Sequence, residues 1–362
     1  MQAQNAYQVW EEMVNEAGGI YVKEYDTKIP VELKVLNDES DGLKTIFQLE
    51  ALNEWGAVAY LGGMGCTSFE VGTAIAMKNG ITWIGPGCGG WTPHQRHNTF
   101  LFSVFMKTPY FAPMVYDFIE AMPEPRPNKV AIFEINQLDC KEAAEYWREG
   151  AKEGGFEVVF DEMYAAGISD FSALITGAKA AGAEILLAYP TPPNGPLLVK
   201  QMKELDFSPK LCYWIRAPEG TQFGPSLGEL SDYVCVPCAW VNTLTLPGCA
   251  EFNAKHIEVH GKESLIITGS AYAAAQVLEA AIERAGTLDR IAIRDAIRTT
   301  DMETVAGRIH FADNGHALDR MLVVLQWMNE KPEIVFINEP AEKYKEYIPM
   351  VDFEWQPAWS ER

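Results

Sequence analysis

Residues 169–188 read SDFSALITGAKAAGAEILLA and contain one complete step of an α/β fold. From Phe171 to Ala181 the apolar side chains recur at helical spacing. Ile185 to Ala188 then form a short run of aliphatic residues, which is typical of a strand that is buried on both faces. A helix that leads into a buried strand is the repeating step of βαβ units with parallel sheets.

The same alternation extends along most of the chain. We predict strands at Val31–Val35, Ala57–Leu61, Thr82–Ile84, Val130–Phe133, Glu157–Phe160, Ile185–Ala188, Leu211–Ile215, Tyr233–Val236, Gly307–Phe311 and Leu322–Trp327. We predict helices at Tyr7–Asn15, Leu43–Glu54, Ser68–Lys78, Lys141–Glu153, Phe171–Ala181, Leu197–Leu205, Leu265–Ala285 and Ile291–Thr299. The pattern therefore predicts an α/β protein with parallel sheets.

The length and composition favour two lobes. With 362 residues, of which 48% are hydrophobic and 22% charged, the chain is long enough for two cores. The proline-rich run 122–127 precedes a fresh strand at Val130, and proline does not continue a helix. We therefore place the entry to the second lobe there. The predicted bounds are 1–118 plus 248–317 for lobe one, 119–247 plus 318–345 for lobe two, and 346–362 for a polar and aromatic tail.

The net negative charge excludes some classes of binding partner. The formal net charge of -21 repels phosphate backbones and anionic lipid headgroups, so we expect neither nucleic acid nor membrane surfaces as partners. The alternative is that the negative charge serves only to keep the protein soluble. No stretch approaches the ~20 apolar residues that span a bilayer. The first ten residues lack the basic and apolar regions of an export signal, which leaves the compartment open.

Seven cysteines are scattered along the chain, an odd number that does not suggest the disulfide framework of a small secreted domain. At least one thiol is therefore expected. Cys235 and Cys238 have the CxxC spacing of redox and zinc sites, but they lie late in an extended run. For this pair we favour two structural thiols or a local disulfide.

Two glycine-rich loops follow predicted strands, at Gly62-Gly-Met-Gly-Cys-Thr-Ser68 and Gly85-Pro-Gly-Cys-Gly-Gly-Trp91. Ligands of parallel sheets bind beyond the carboxyl ends of the strands, where helix N-termini offer backbone N–H donors. Glycine permits close approach to a carboxylate or carbonyl oxygen. The alternative is that these glycines only make tight turns. The candidate ligand contacts here are Gly65, Cys66, Thr67, Gly87, Cys88, Gly89 and Trp91, the last as an aromatic surface for a ligand side chain.

Several motifs, taken in order, resemble a known family. They are Val14-Asn-Glu-Ala-Gly-Gly-Ile20, Gly80-Ile-Thr-Trp-Ile-Gly-Pro-Gly87, Val130-Ala-Ile-Phe133, Ser169–Ile175, Ala217-Pro-Glu-Gly220 and Ser270-Ala-Tyr-Ala-Ala-Ala275. Together they make residues 1 to about 336 similar to type I periplasmic binding proteins of the branched-chain amino acid and amide group. The resemblance implies two Rossmann-like lobes with parallel sheets, joined by a three-strand hinge.

The resemblance implies a protein that binds a ligand without transforming it. The lobes would close on a small amino acid or a related carboxylate or amide, for uptake by the membrane permease of an ABC transporter. The resemblance implies a periplasmic or other extracytoplasmic monomer that has no cofactor and no metal and is not an enzyme. In lobe two it implies ligand contacts at Asp139, Tyr189, Thr191, Arg216 and Glu219, with the Glu219 carboxylate pairing with a ligand ammonium.

Some positions depart from the family pattern. Cys66 and Gly89 stand where relatives have hydroxyl residues that hold a carboxylate, and Asp139-Cys140 replaces a tyrosine-glycine pair. Family members also begin with a strand ahead of the first helix, whereas this sequence begins at that helix. We expect that the first strand and an export signal are missing from the sequence as given.

Other functions fit parts of the sequence. A cytoplasmic sensor of amides or small acids would fit a genuine start at Met1. A cysteine hydrolase would use Cys66 or Cys88 with His94, because a helix N-terminus lowers a thiol pKa. His94 and His97 have a spacing that suits zinc only in a helix, which Pro93 disfavours. Finally, Arg216 and Glu219 would form an ion pair with each other if neither binds a ligand.

Overall fold

The computed structural model describes residues 2–63, 65–165, 167–220 and 222–362. Its helices are α1 (Gln2–Glu16), α2 (Gly42–Trp55), α3 (Cys66–Asn79), α4 (Thr108–Phe111), α5 (Met114–Ala121), α6 (Leu138–Glu153), α7 (Ser172–Ala180), α8 (Asn194–Glu204), α9 (Phe223–Leu227), α10 (Cys249–His260), α11 (Thr268–Ala285) and α12 (Arg290–Arg298). Its strands are β1 (Ile20–Val22), β2 (Thr27–Ile29), β3 (Ala59–Leu61), β4 (Thr82–Gly85), β5 (Leu101–Ser103), β6 (Lys129–Ile135), β7 (Glu157–Tyr164), β8 (Ile185–Ala188), β9 (Leu211–Trp214), β10 (Val234–Cys238), β11 (Asp301–Thr304), β12 (Gly307–His310), β13 (Val323–Met328) and β14 (Lys331–Ile337).

The chain divides into two compact α/β units. Unit 1 consists of Met1–Lys107, Ala239–Met321 and Lys343–Ile348, and unit 2 of Thr108–Cys238, Leu322–Glu342 and Pro349–Arg362. These bounds differ from the predicted lobes by about ten residues at the first two crossings. The predicted separate tail is not separate, because Gln356 N donates to Lys210 O at 2.9 Å and Trp359 Nε1 donates to Phe207 O at 2.8 Å within unit 2.

Local signals in the sequence begin and end several helices. Asp41 caps α2 by accepting hydrogen bonds from the backbone N–H groups of Leu43 and Lys44, and Gly56 ends the helix with left-handed backbone. Asp289 caps α12 in the same way. These caps satisfy backbone groups that a helix terminus otherwise leaves without partners.

Unit 2 is built on a seven-stranded sheet with the order β14-β13-β10-β9-β8-β6-β7. The strands from β10 to β7 run parallel, and β13 and β14 add antiparallel pairs at one side. After its first residue β6 is buried throughout, because it lies between β8 and β7 and helices cover the sheet. The sequence patterns predicted β6 to β10 and β13 but missed β14, which lies inside the predicted bounds of lobe two.

Unit 1 contains a shorter parallel sheet, β3-β4-β5, and two hairpins, β1-β2 and β11-β12. The strand predicted at Val31–Val35 is wrong, because this segment belongs to no ladder among the described residues. Its backbone bonds go to side chains of α1 instead: Asn15 bonds both N and O of Val31, and Glu11 accepts from Leu33 N. The strand was predicted from its side chains, but a strand also needs a neighbour to pair with.

A groove of about 770 Å³ separates residues 31–36 from β3. Apolar side chains of α1 and α11 line it, among them Trp10, Leu278 and Ile282. One edge of β3 faces this side, since its ladder partner in the sheet is β4. Unit 1 therefore has two extended segments with a gap between them.

Candidate functional site

The two glycine-rich loops of unit 1 meet at the start of α3. Gly65 caps this helix with a φ of 111°, a backbone conformation that favours glycine, and Gly65 N donates to Gly87 O at 3.3 Å. Thr67 is exposed in the first turn of the helix, whereas Gly89 is buried beyond the end of β4. The fold thus brings together the predicted contacts of both loops near helical N–H donors.

A disulfide between Cys66 and Cys88 joins these loops, with a Cα–Cα distance of 5.2 Å. Sequence reasoning missed this bond, because the odd cysteine count argued against a disulfide framework. The other five cysteines carry buried thiols, Cys235 and Cys238 among them, so that pair forms no local disulfide. The hydrolase hypothesis fails in this state, since both proposed nucleophiles are bonded to each other and neither can form a thiolate.

An aromatic cluster lies behind the second loop. The half-buried Trp91 ring stacks near His94 with 6.0 Å between centroids and meets His316 edge-on at 4.8 Å. Burial and the nearby Lys107 ammonium lower the pKa of His94 well below its usual value, and the same two causes lower the pKa of His316 to about 4. Both rings are therefore neutral at pH 7.

This geometry does not support a zinc site. His94 Nδ1 lies 2.9 Å from the carbonyl oxygen of Asn314, and His97 is exposed with a positive φ of 52°. Across residues 2–63, 65–165, 167–220 and 222–362, no three His, Cys, Asp or Glu side chains are grouped to hold a metal ion. Within the same ranges, no helix is long and apolar enough to cross a bilayer.

In unit 2 the predicted residues follow the carboxyl ends of neighbouring strands. Asp139 lies in the first turn of α6 after β6, Tyr189 follows β8, and Arg216 follows β9. Burial raises the pKa of Asp139, although the Arg216 charge and a hydrogen bond from the Tyr189 hydroxyl act in the opposite direction. The parallel sheet therefore brings Asp139, Tyr189 and Arg216 into one cluster.

Arg216 has an unusual backbone conformation. Its φ of 76° and ψ of -67° define a γ-turn of the rare positive-φ type, closed by a 3.1 Å bond from Ala217 N to Ile215 O. Such conformations cost free energy and concentrate at binding sites. The turn directs the Arg216 guanidinium to Gln137 Oε1 at 3.0 Å.

Glu219 lies three residues beyond this turn and is partly buried. Burial raises the pKa of its carboxyl to about 7, against the lowering effects of the Arg216 backbone N–H and the Arg216 charge. Glu219 Oε1 accepts a 3.3 Å hydrogen bond from Arg216 N, while the guanidinium bonds Gln137. The predicted ion pair between the two side chains is therefore replaced by a backbone contact.

Thr191 has a local structural role. Its hydroxyl donates to Asn194 Oδ1 at 2.7 Å in the turn before α8, and Asn194 Nδ2 donates to Ile168 O. This bond orders the turn and uses the hydroxyl proton, which leaves the Thr191 oxygen as a hydrogen-bond acceptor.

Sequence reasoning missed two residues at these sites. Gln137 orients Arg216 and directly follows β6, so the rule that sites lie beyond strand ends could have found it. Lys107 is buried, with only 1% of its surface exposed, and its ammonium donates to Cys88 O at 2.6 Å. A lysine that follows the largely apolar segment 100–106 was the available signal.

Comparisons with known proteins agree with this architecture. A family model described as periplasmic binding protein matches residues 1–332. The Leu/Ile/Val-binding protein homolog 3 of Brucella melitensis is 24% identical over 332 residues, which cover 88% of this chain and 84% of that protein. The leucine-, isoleucine-, valine-, threonine-, and alanine-binding protein of Pseudomonas aeruginosa is 22% identical, with coverages of 87% and 82%.

A solved structure is similar over nearly its whole length. It is the branched-chain amino acid transporter substrate binding protein LivJ of Streptococcus pneumoniae in complex with isoleucine. The TM-score is 0.80 at 19% identity, and the match covers 92% of this chain and 94% of that one. At this identity the likeness establishes the fold.

Proposed function

Because the chain belongs to the periplasmic binding protein family, we propose that it is the ligand-binding subunit of an ABC-type uptake system. Its ligand is a small amino acid or a related carboxylate or amide, which the protein releases to a membrane permease. The observation that carries this proposal is the unit 2 cluster, which presents Asp139, Tyr189, Arg216 and Glu219 beyond the ends of parallel strands.

Each unit, taken by itself, offers groups that suit such a ligand. In unit 2 the Glu219 carboxylate pairs with a ligand ammonium, which is a charge-assisted hydrogen bond. In unit 1 the side-chain hydroxyls expected for a ligand carboxylate are reduced to Thr67, and the start of α3 supplies backbone N–H donors. Trp91 supplies an aromatic surface for the ligand side chain.

The disulfide supports an extracytoplasmic location. Disulfides persist in oxidising compartments and are rare where glutathione and thioredoxin keep thiols reduced. The Cys66–Cys88 bond is therefore what a periplasmic binding protein would contain and a cytoplasmic sensor would rarely keep.

A thermal-shift screen with isothermal titration calorimetry tests the proposal. The panel holds leucine, isoleucine, valine, threonine, alanine, benzoate, acetamide and urea. A ligand present at a hundred times its dissociation constant stabilises the fold by about 2.7 kcal/mol. Mass spectrometry of the recovered ligand should show it unchanged. The proposal fails if no compound raises the melting temperature, or if the bound compound is converted.

A Glu219→Gln variant identifies the contact. Amino acids should lose affinity by about tenfold or more, because a charge-assisted bond becomes a neutral one, whereas benzoate affinity should hold. Gln222→Glu, a charge change three residues away, is the matched control. Equal losses for amino acids and benzoate would contradict the assignment of Glu219 to an ammonium.

A further inference from the structure

The Cys66–Cys88 disulfide joins two glycine-rich loops covalently. Among the described residues, the backbones of these loops also meet in the 3.3 Å bond from Gly65 N to Gly87 O. The approach to Cys66 contains Gly62, Gly63 and Gly65, and glycine leaves a backbone many accessible conformations. The covalent bond therefore restricts the positions of the predicted ligand contacts in unit 1.

We propose that this disulfide is a site of reversible thiol–disulfide exchange with a dithiol reductant, and that its reduction weakens ligand binding. The effect on binding rests on the function proposed above, whereas the exchange reaction does not. The two cysteines differ in exposure, since Cys66 is partly exposed and Cys88 is 2% exposed. Of the two residues, Cys66 is therefore the one open to attack by an incoming thiolate.

Two polar groups at Cys88 favour a leaving thiolate, although the apolar cluster that buries it, with Phe69 and Trp83, acts against one. Gly90 N donates to Cys88 Sγ at 3.3 Å, and the Lys107 ammonium lies against the carbonyl of the same residue. A hydrogen bond and a nearby positive charge both stabilise a thiolate, and a more stable thiolate leaves faster.

The exchange balances in two steps. The reductant's first thiolate bonds to Cys66 Sγ while the Cys66–Cys88 bond breaks, and the Cys88 thiolate takes up a proton. The reductant's second thiolate then attacks the sulfur that the first one contributed. This step expels the Cys66 thiolate, which is protonated in turn. The dithiol is oxidised to its cyclic disulfide, and the protein disulfide is reduced to two thiols.

Reduction changes the candidate site directly. The thiol of Cys66 remains in the first turn of α3, but the loop before it is no longer fixed to Gly87–Gly89. A ligand that bonds both loops must then order them on binding, and this ordering lowers its affinity. The disulfide thus keeps unit 1 prepared for the ligand.

The test compares the oxidised and reduced whole chain. After treatment with dithiothreitol under native conditions, alkylation and mass spectrometry should find new labels at Cys66 and Cys88, with the five buried thiols still unlabelled. Hydrogen exchange should become about tenfold faster in both loops. The dissociation constant of L-leucine, used as the probe, should rise about tenfold.

A Cys66→Ser/Cys88→Ser variant should match the reduced protein and show no further change with dithiothreitol. A disulfide that resists reduction under native conditions would overturn the proposal, as would reduction without faster loop exchange. Unchanged leucine affinity after reduction would also overturn it. If L-leucine binds neither form, the proposed ligand class fails, and the labelling and exchange results still decide the redox proposal.

Discussion

The two units use the same strand-and-helix alternation, yet their sheets differ in continuity. In unit 2 the order β7-β6-β8-β9 is unbroken, and β6 is buried between two parallel neighbours. In unit 1 the segment 31–36 and β3 hold positions like those of β7 and β8, but a groove lies between them. The comparison shows that apolar residues predict an extended segment, whereas pairing depends on the neighbour that is present.

The chain order supports this correspondence. In unit 2, β6 leads through α6 to β7, and α7 then leads to β8. In unit 1, α1 leads to residues 31–36, and α2 then leads to β3. The groove of unit 1 therefore corresponds to the position that β6 occupies in unit 2.

The largest contrast is expected from one charge placed in each extended segment. Ile132→Asp in β6 should destabilise unit 2 by at least about 4 kcal/mol, because it buries an unpaired carboxylate in a packed sheet. Val35→Asp should change stability by about 0.5 kcal/mol or less, since Val35 is 48% exposed. Denaturant unfolding of both variants measures the contrast, and equal losses would refute the difference between the segments.

Placing an added strand in the groove of unit 1 should test the comparison between the two sheets. A designed extension ahead of Gln2, carrying the sequence of β6 followed by Asn-Gln, should pair with the edge of β3. Backbone hydrogen bonding should then slow hydrogen exchange at residues 57–61 by about a hundredfold. The matched control replaces the central isoleucine of the extension with proline, which removes a ladder donor. Equal protection by both extensions would contradict strand pairing.

These contrasts explain how far the sequence predicts the fold. Strands in a continuous sheet, such as Ile185–Ala188, were predicted with correct bounds because burial on both faces leaves an uninterrupted apolar run. The strand at Val31–Val35 was wrong because pairing is not local. β14 was missed because Lys331 and Glu333 give it a charged beginning and Pro332 cannot donate to a ladder.

For similar reasons, the sequence predicted some features of the site and not others. Residues that follow strand ends, such as Asp139 and Arg216, could be placed because parallel strands end at one edge of a sheet. The Cys66–Cys88 bond could not be, because a disulfide depends on the distance between two loops that are 22 residues apart in sequence. The strained turn at Arg216 has no sequence signal, since positive φ in a non-glycine residue is set by its surroundings.

The acidic group of unit 2 should make ligand binding depend on pH. With its pKa raised to about 7, Glu219 is mostly protonated at pH 6 and mostly ionised at pH 8. Because a ligand ammonium requires the ionised form, the dissociation constant of a bound amino acid should fall about tenfold from pH 6 to pH 8. Calorimetry in matched buffers at the two pH values measures this dissociation constant. Glu219→Gln should remove the dependence, and a profile that persists in this variant would assign it to another group.

The smallest effect concerns how each unit obtains positive φ at its site. Unit 1 uses Gly65, where an added Cβ meets no atom within 4 Å. Gly65→Ala therefore tests backbone strain alone and should cost about 1 kcal/mol of folding stability.

Unit 2 uses Arg216, so Arg216→Gly should relieve backbone strain and offset much of the stability lost with the hydrogen bond from Arg216 to Gln137. Arg216→Ala, which loses the same bond but keeps the strain, should be less stable than Arg216→Gly by about 1 kcal/mol. Thermal unfolding of the three variants measures these differences. If the glycine and alanine variants at 216 were equally stable, the γ-turn would store no strain, and the arginine would be held there at no conformational cost.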